Sequence, residues 1–311
     1  MTDRIPSAVV LGSVHMDLVA RATRLPGRGE SVVGSQFSMS PGGKGGNQAC
    51  QLALLGLTTF MLTRLGNDEF GRQLTRALQS KGVDTSLIVV DPQEATGAST
   101  VFADDNDYSS IIVSGAAARI SAGDIERARG KIENCDALIL QLELPVGASF
   151  QAAQIAQAAK RLVVLNASPA PADTSSFTKG FLATVDVLVV NAVEAAVFLG
   201  RKINTNALAG DAEKLARKLS IGTVVITAGA SGSAISTKGM MLYQPALVAR
   251  IVDTVGAGDA YLGTLVEGLI ENRPLPDTLR RAATAGAIAV SRQGAFEALP
   301  SRTEINQRVT T

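Results

Sequence analysis

From residue 130 onward the chain alternates short β-branched runs with longer stretches whose apolar residues recur at helical spacing, and that rhythm restricts the fold more than any other feature. Asp136 to Leu142, Arg161 to Asn166, Asp186 to Asn191 and Thr223 to Thr227 read as strands, with helices from Val146 to Lys160 and Leu208 to Leu219 between them. Strands that return to one sheet through a helix run parallel with right-handed crossovers, so the pattern predicts βαβ units around a mainly parallel sheet flanked by helices. The first third behaves differently. After a strand over Ala8 to Val19 come the turn-rich "LPGRGE", the β-like "SVVGSQFSMS" and a hairpin-like "STVFADDNDYSSIIVS", all alternating as a one-sided sheet does. The expected organisation is a large α/β domain of residues 1–13, 41–95 and 115–311, with a small β lid from residues 14–40 and 96–114.

The chain has 311 residues, which suits two domains of about 150 residues or one large α/β domain. With 29 Lys and Arg against 28 Asp and Glu, no net field favours a polyanion, and no basic block interleaves with aromatics, so nucleic acid is not an expected partner. Cys50 and Cys135 lie in apolar stretches without a C-x-x-C pair, as in a reduced intracellular protein. No signal-peptide pattern and no run of about 18 apolar residues is present, which leads to the expectation of a soluble cytoplasmic protein without a membrane partner. His15 is the single histidine, so histidine-rich zinc sites are excluded and any histidine-dependent nucleophile would have to use that residue.

Three glycine-rich turns stand where ligand chemistry is expected. In "DTVGAGDAYLG", residues 253–263, a β-branched run over Val248 to Val252 precedes the glycines and a helical pattern over Tyr261 to Ile270 follows them. The segment reads as a strand-to-helix turn whose amides converge at a helix N-terminus, a natural anion site, with Asp259 either an N-cap or a carboxylate of chemical consequence. "SPGGKGGNQA", residues 40–49, enters a second helix: Gly42, Gly43, Gly45 and Gly46 let backbone approach a ligand, and Lys44 and Asn47 supply donors. It is neither a Walker A loop nor a dinucleotide fingerprint. "VVITAGASGSAIS" adds Thr227, Gly229 and Gly232 after a buried strand, as a hairpin loop or one wall of a phosphate groove. Other polar residues fall at strand C-terminal ends, where α/β sheets present ligands. Asp17 shares a strand face with His15, Glu143 ends "LILQLE", and Asn191 ends a strand with Glu194 in the next helical turn.

Taken together, "VVLGSVHMDLVARATRLPGRGE", "PGGKGGNQA", "LQLELP", "NAVEAA", "VITAGASG", "DTVGAGDAYLG" and "AIAVSRQGA" resemble the ribokinase-like carbohydrate kinases over nearly the whole chain. The paired "GGKGGN" and "DTVGAGD" motifs carry most of the specificity. The resemblance implies a central α/β sheet with a β lid that often pairs two subunits as a homodimer, and transfer of the ATP γ-phosphoryl group to a hydroxymethyl oxygen of a sugar or nucleoside. It implies Asp259 as general base and Gly256, Ala257 and Gly258 as the anion hole. It implies sugar contacts from His15, Asp17, Gly42, Gly43, Lys44, Asn47 and Glu143. By the same resemblance Asn191 and Glu194 organise Mg²⁺ and phosphates through water, and Thr227, Gly229 and Gly232 line the nucleotide site with Asn191 and Gly258. A monovalent-cation loop, usually holding K⁺, is implied at Asp253, Val255, Val290, Gln293 and Ala295.

Two positions depart from the family pattern: ribokinases usually carry asparagine where this chain has His15, and again where it has Ala117. The histidine changes size and donor pattern beside the sugar. The leading expectation is an ATP-dependent kinase of ribose or a related pentose, followed by a nucleoside or keto-sugar kinase. A dinucleotide-dependent oxidoreductase fits the rhythm but lacks the glycine fingerprint, and a non-catalytic sugar-binding protein stands as the alternative of another class.

Overall fold

The computed structural model describes residues 4–104, 108–170 and 179–310. In chain order the elements are β1 (Ser7–Leu11), β2 (His15–Arg21), β3 (Gln36–Gly42), α1 (Lys44–Leu54), β4 (Thr58–Gly66), α2 (Glu69–Ser80), β5 (Ile88–Asp91), β6 (Thr96–Ala103) and β7 (Tyr108–Gly115). There follow α3 (Ala122–Asn134), β8 (Ala137–Gln141), α4 (Val146–Ala158), β9 (Leu162–Asn166), α5 (Lys179–Leu182), β10 (Val187–Asn191), α6 (Ala192–Leu199), α7 (Leu208–Leu219) and β11 (Thr223–Thr227). The chain closes with β12 (Ser233–Thr237), β13 (Met240–Gln244), α8 (Ala257–Ile270), α9 (Leu275–Ala289) and α10 (Arg302–Thr310). Residues 105–107, at the tip of the expected hairpin, lie outside the described residues.

Nine strands form the large sheet in the order β13-β12-β11-β10-β9-β8-β1-β4-β5, parallel from β11 to β5, with β12 antiparallel to both its neighbours at the far edge. Its central strands are nearly continuous apolar runs because both faces are covered. Successive side chains point to opposite faces, so Val10, Ile139, Val164, Val189 and Val225 enter one core with residues of α1, α8 and α9. Val9, Leu138, Leu140, Val163, Leu165 and Val190 enter the other with residues of α3, α4 and α7. Among the described residues no helix is long and apolar enough to cross a membrane.

A four-stranded sheet, order β3-β2-β6-β7, is built from the two early segments. The stretch Ala8 to Val19, expected as one strand, is two. The chain breaks at Gly12–Val14 and passes from the large sheet to the small one. At this crossover a Cβ on Gly12 would lie 2.7 Å from the Cα of Gly45, so the absent side chain lets α1 lie against it. In the small sheet His15 stands opposite Gly42 and Asp17 opposite Ser40, which brings both side chains to the loop that starts α1.

The strand expected over Val248 to Val252 does not form. These residues follow edge strand β13 as irregular chain, with Val248 and Ile251 exposed. β-branched composition describes fitness for a half-buried pleated surface, and this segment pairs with no strand. Its end is tied down by the carbonyl of Val290, which accepts from the N–H groups of Val252 at 2.7 Å and Asp253 at 3.2 Å.

Candidate active site

Two helix N-termini converge at the C-terminal ends of the large sheet's strands. The first is that of α1. Gly43 precedes it with φ of 95°, and a Cβ there would lie 2.7 Å from the carbonyl oxygen of Ser13. Gly46 donates its N–H to the same Ser13 carbonyl at 3.0 Å, which docks the first turn onto the crossover. That docking turns Asn47 and Gln48 inward, where both are buried. Glu143, just past β8, is hydrogen-bonded to the Ser13 hydroxyl. His15 is buried, with Nδ1 3.0 Å from Asp17 Oδ1 but without hydrogen-bond geometry, so this ring nitrogen is left unpaired.

The second N-terminus is that of α8. Gly256 precedes it in the left-handed region, φ 75°, against the backbone of Ala295. Helix geometry leaves the N–H groups of Gly258 and Asp259 without a preceding helical carbonyl, and the space where a Gly258 side chain would stand is open. Asp259, in this first turn, is not an N-cap. Its carboxylate points away to α1, accepting from Asn47 Nδ2 at Oδ2 and from Gln48 Nε2 at Oδ1, each at 2.8 Å. Burial pushes this carboxyl above the usual carboxylate range; the Lys44 ammonium and the two amides act in the opposite direction, and Glu143 adds to the rise. Asn47 keeps its own Oδ1 buried and unpaired.

Asn191 and Thr227 end adjacent parallel strands and pair in register. Asn191 and Glu194 close a capping box on α6: Glu194 N–H donates to Asn191 Oδ1 at 2.9 Å and Asn191 N–H to Glu194 Oε2 at 2.8 Å. The cap uses one oxygen of each side chain, leaving the Asn191 amide nitrogen and the other Glu194 carboxylate oxygen outside it. Gly229 and Gly232, at φ of 52° and 81°, turn the chain from β11 into β12, and a Cβ on Gly232 would press on the backbone of Pro245 and Ala246. The hydroxyl of Tyr261 donates to Ser233 Oγ at 2.9 Å and ties α8 to this hairpin.

The segment before α8 lies against the segment after α9. Asp253 Oδ2 accepts from the N–H of Gly294 at 3.1 Å and Oδ1 from that of Val255 at 3.0 Å. Asp253, Val255, Val290 and Ala295 are thereby gathered around one backbone-rich turn, and Gln293 falls within the same loop. Among the described residues no group of three or more His, Cys, Asp or Glu side chains is arranged to hold a metal ion.

The sequence matches the pfkB family carbohydrate kinases over residues 6–302. This chain belongs to that family. The kinase is 32% identical to the ribokinase of Haemophilus influenzae over 95% of each chain, and 29% identical to the deoxyribokinase of Salmonella typhi over 96% of this chain and 97% of that one. Its fold superposes on the Arabidopsis thaliana ribokinase complexed with ribose and ATP at a TM-score of 0.88, with 28% identity, covering 99% of this chain and 100% of that one. As a carbohydrate kinase it is a phosphotransferase with an alcohol acceptor, and the oxidoreductase alternative falls away.

Sequence reasoning passed over Gln48, Gln141 and Asn166. Gln141 donates to Gln48 Oε1 at 2.7 Å, and Gln48 donates to Asn166 Oδ1 at 3.1 Å as well as to Asp259. Two of them end strands, the placement that drew attention to Asn191. Gln48 directly follows Asn47, but its position in an otherwise apolar helix face disguised it as spacing.

Proposed function

We propose that this kinase transfers the γ-phosphoryl group of ATP to the hydroxymethyl oxygen of ribose or a related pentose. The observation that carries the reading is the Asp259 carboxylate, buried one turn into α8 and held by Asn47 and Gln48, beside N–H groups that no helical carbonyl engages. Asp259 takes the proton of the acceptor hydroxyl. That oxygen bonds to the γ-phosphorus as the bond to the bridging oxygen breaks, and ADP leaves. The amides of Gly256, Ala257 and Gly258 at the entry to α8 are assigned the transferring group's negative charge, the Gly258 N–H being free of any helical carbonyl and the Ala257 N–H reaching the Thr254 carbonyl only at 3.4 Å. A carboxyl raised by burial is the stronger base, which suits this proton transfer.

The sugar contacts are assigned to His15, Asp17, Gly42, Gly43, Lys44, Asn47 and Glu143. The buried, unpaired Asn47 Oδ1 supports this, as does the His15 ring held 3.0 Å from the Asp17 carboxylate without a hydrogen bond between them, since buried polar groups left open fit a ligand rich in hydroxyls. The nucleotide is assigned to Asn191, Thr227, Gly229 and Gly232. The oxygen chemistry of Asn191 and Glu194 fits Mg²⁺ held through water, where it neutralises phosphate charge. The turn of Asp253, Val255, Val290, Gln293 and Ala295 is assigned to K⁺ through backbone oxygens, of which those of Val290 and Ala295 also accept N–H groups, and the ion would brace the backbone leading into Gly256.

On the small sheet, register puts Phe37, Met39, Phe102, Ile111 and Val113 on one face, opposite to that of His15 and Asp17, and all five are exposed. An apolar face of this kind is a contact surface, and a second copy of the chain is the occupant we assign to it. Sedimentation should give a dimer for the native chain and a monomer for Ile111→Asp; a native monomer at micromolar concentration refutes the assignment.

Asp259→Asn should keep the fold and ATP binding while losing roughly 10²- to 10⁴-fold in kcat, because an amide cannot accept the proton. Turnover within about twofold of the native rate on the best sugar sinks the base assignment. The same assay, with Mg²⁺ present, should run faster in K⁺ than in Na⁺ at matched ionic strength; equal rates remove the cation loop from the scheme.

His15 decides the finer question of which sugar. Asparagine carries donor and acceptor on one amide, whereas neutral imidazole splits them between two ring nitrogens. His15→Asn should therefore shift the kcat/KM ratio toward ribose by about 1–3 kcal/mol relative to the preferred sugar, or relative to the best competitor if ribose is preferred. An unchanged ratio assigns His15 to packing.

A further inference from the structure

The buried amides behind Asp259 form a chain whose direction is set by a backbone group. Asn166 donates through Nδ2 to the carbonyl of Val189 at 3.2 Å, and a carbonyl can only accept, so Asn166 must turn its Oδ1 toward Gln48. Gln48 then has oxygens in front of it on two sides, Asn166 Oδ1 at 3.1 Å and Asp259 Oδ1 at 2.8 Å, and both call for its Nε2. Its Oε1 is left to Gln141, which donates at 2.7 Å. Reversing the Gln48 amide would set its oxygen against two oxygens and its nitrogen against a nitrogen. Every polar atom of Gln48 is thereby used, and the side chain is fully buried.

Strand register assembles this chain. Gln141 pairs with Asn166 across β8 and β9, and Asn166 pairs with Val189 across β9 and β10, so the three groups stand side by side at the sheet's C-terminal edge. Gln48 reaches them from α1. We propose that Gln48 is a positioning residue of the kinase, aimed by Gln141 and Asn166, which holds the Asp259 carboxylate in its ionised form and fixed orientation. This rests on the reading of Asp259 as the base. The other groups facing that carboxylate are Asn47 and Lys44 from α1, and Glu143 from the segment after β8. Lys44 and Asn47 are also assigned to the sugar; Gln48 is behind the carboxylate and is the member that can serve Asp259 alone.

The test begins without substrate. In protein labelled with ¹³C at aspartate carboxyls, the Asp259 resonance is identified by its absence from Asp259→Asn and followed against pH. Gln48→Met keeps the length of the side chain and removes the donor, so the midpoint should rise by about one pH unit, the scale of one hydrogen bond to a charged group. Gln141→Met, which frees the Gln48 amide to turn, should raise it less. In sugar phosphorylation the acid limb of kcat should move up with the midpoint, while KM for ATP stays within about twofold, a split that general loss of structure does not produce. An unmoved midpoint in Gln48→Met, or in Gln141→Met if the first variant does not fold, overturns the proposal. Absence of sugar phosphorylation by the native chain would instead overturn the reading of the reaction, and the titration would still decide the role of Gln48.

Discussion

Burying the Asp259 carboxylate penalises its charged form, and much of the surrounding architecture answers that penalty with oriented donors. The donors come from α1, so the helix has to approach the strand ends closely. Gly43 at positive φ and Gly45 against Gly12 permit the approach, because side chains there would collide with backbone. The same docking fixes where β3 ends and hence where His15 and Asp17 meet the loop before α1. One electrostatic requirement thus couples the crossover between the two sheets, the start of α1 and the start of α8.

The two sheets divide the labour of the molecule. Both faces of the large sheet are packed by helices, so its polar chemistry is confined to strand ends, where Gln141, Asn166, Asn191 and Thr227 stand in neighbouring register. The small sheet carries the polar pair His15 and Asp17 on one face and exposed apolar side chains on the other. The sheet is mixed, parallel between β2 and β6 and antiparallel at β2–β3 and β6–β7, and each of its strands alternates between the two faces. The proposed sugar site and the proposed subunit contact are therefore two sides of one layer.

Capping and catalysis draw on the same residue types, and the structure separates them by direction. Asn191 and Glu194 bond back to each other's backbone and close the end of α6. Asp259 occupies the first turn of α8 yet sends its carboxylate across to another helix, leaving its own helix end without a side-chain cap. Forgoing a cap leaves the first-turn amides available to an anion, which is the use proposed for them.

The chain's pattern alone determined the parallel α/β layer, since Thr223–Thr227 and Leu208–Leu219 form where periodicity placed them and the strands expected over Asp136 to Leu142, Arg161 to Asn166 and Asp186 to Asn191 differ only at their ends. It also marked Asp259, Asn47 and Gly43 through glycine turns that have few other uses. Local pattern misjudged Ala8 to Val19 and Val248 to Val252, because β-branched composition does not say whether a partner strand is free to pair. Gln48, Gln141 and Asn166 went unseen for a related reason: an isolated amide in an apolar run has no signature, and its meaning depends on which groups the fold sets opposite it. Tertiary structure alone decided that a strand register, a backbone carbonyl on β10 and the approach of α1 would line three amides up behind one carboxylate, because hydrogen-bond direction is a property of atoms brought together from distant parts of the chain.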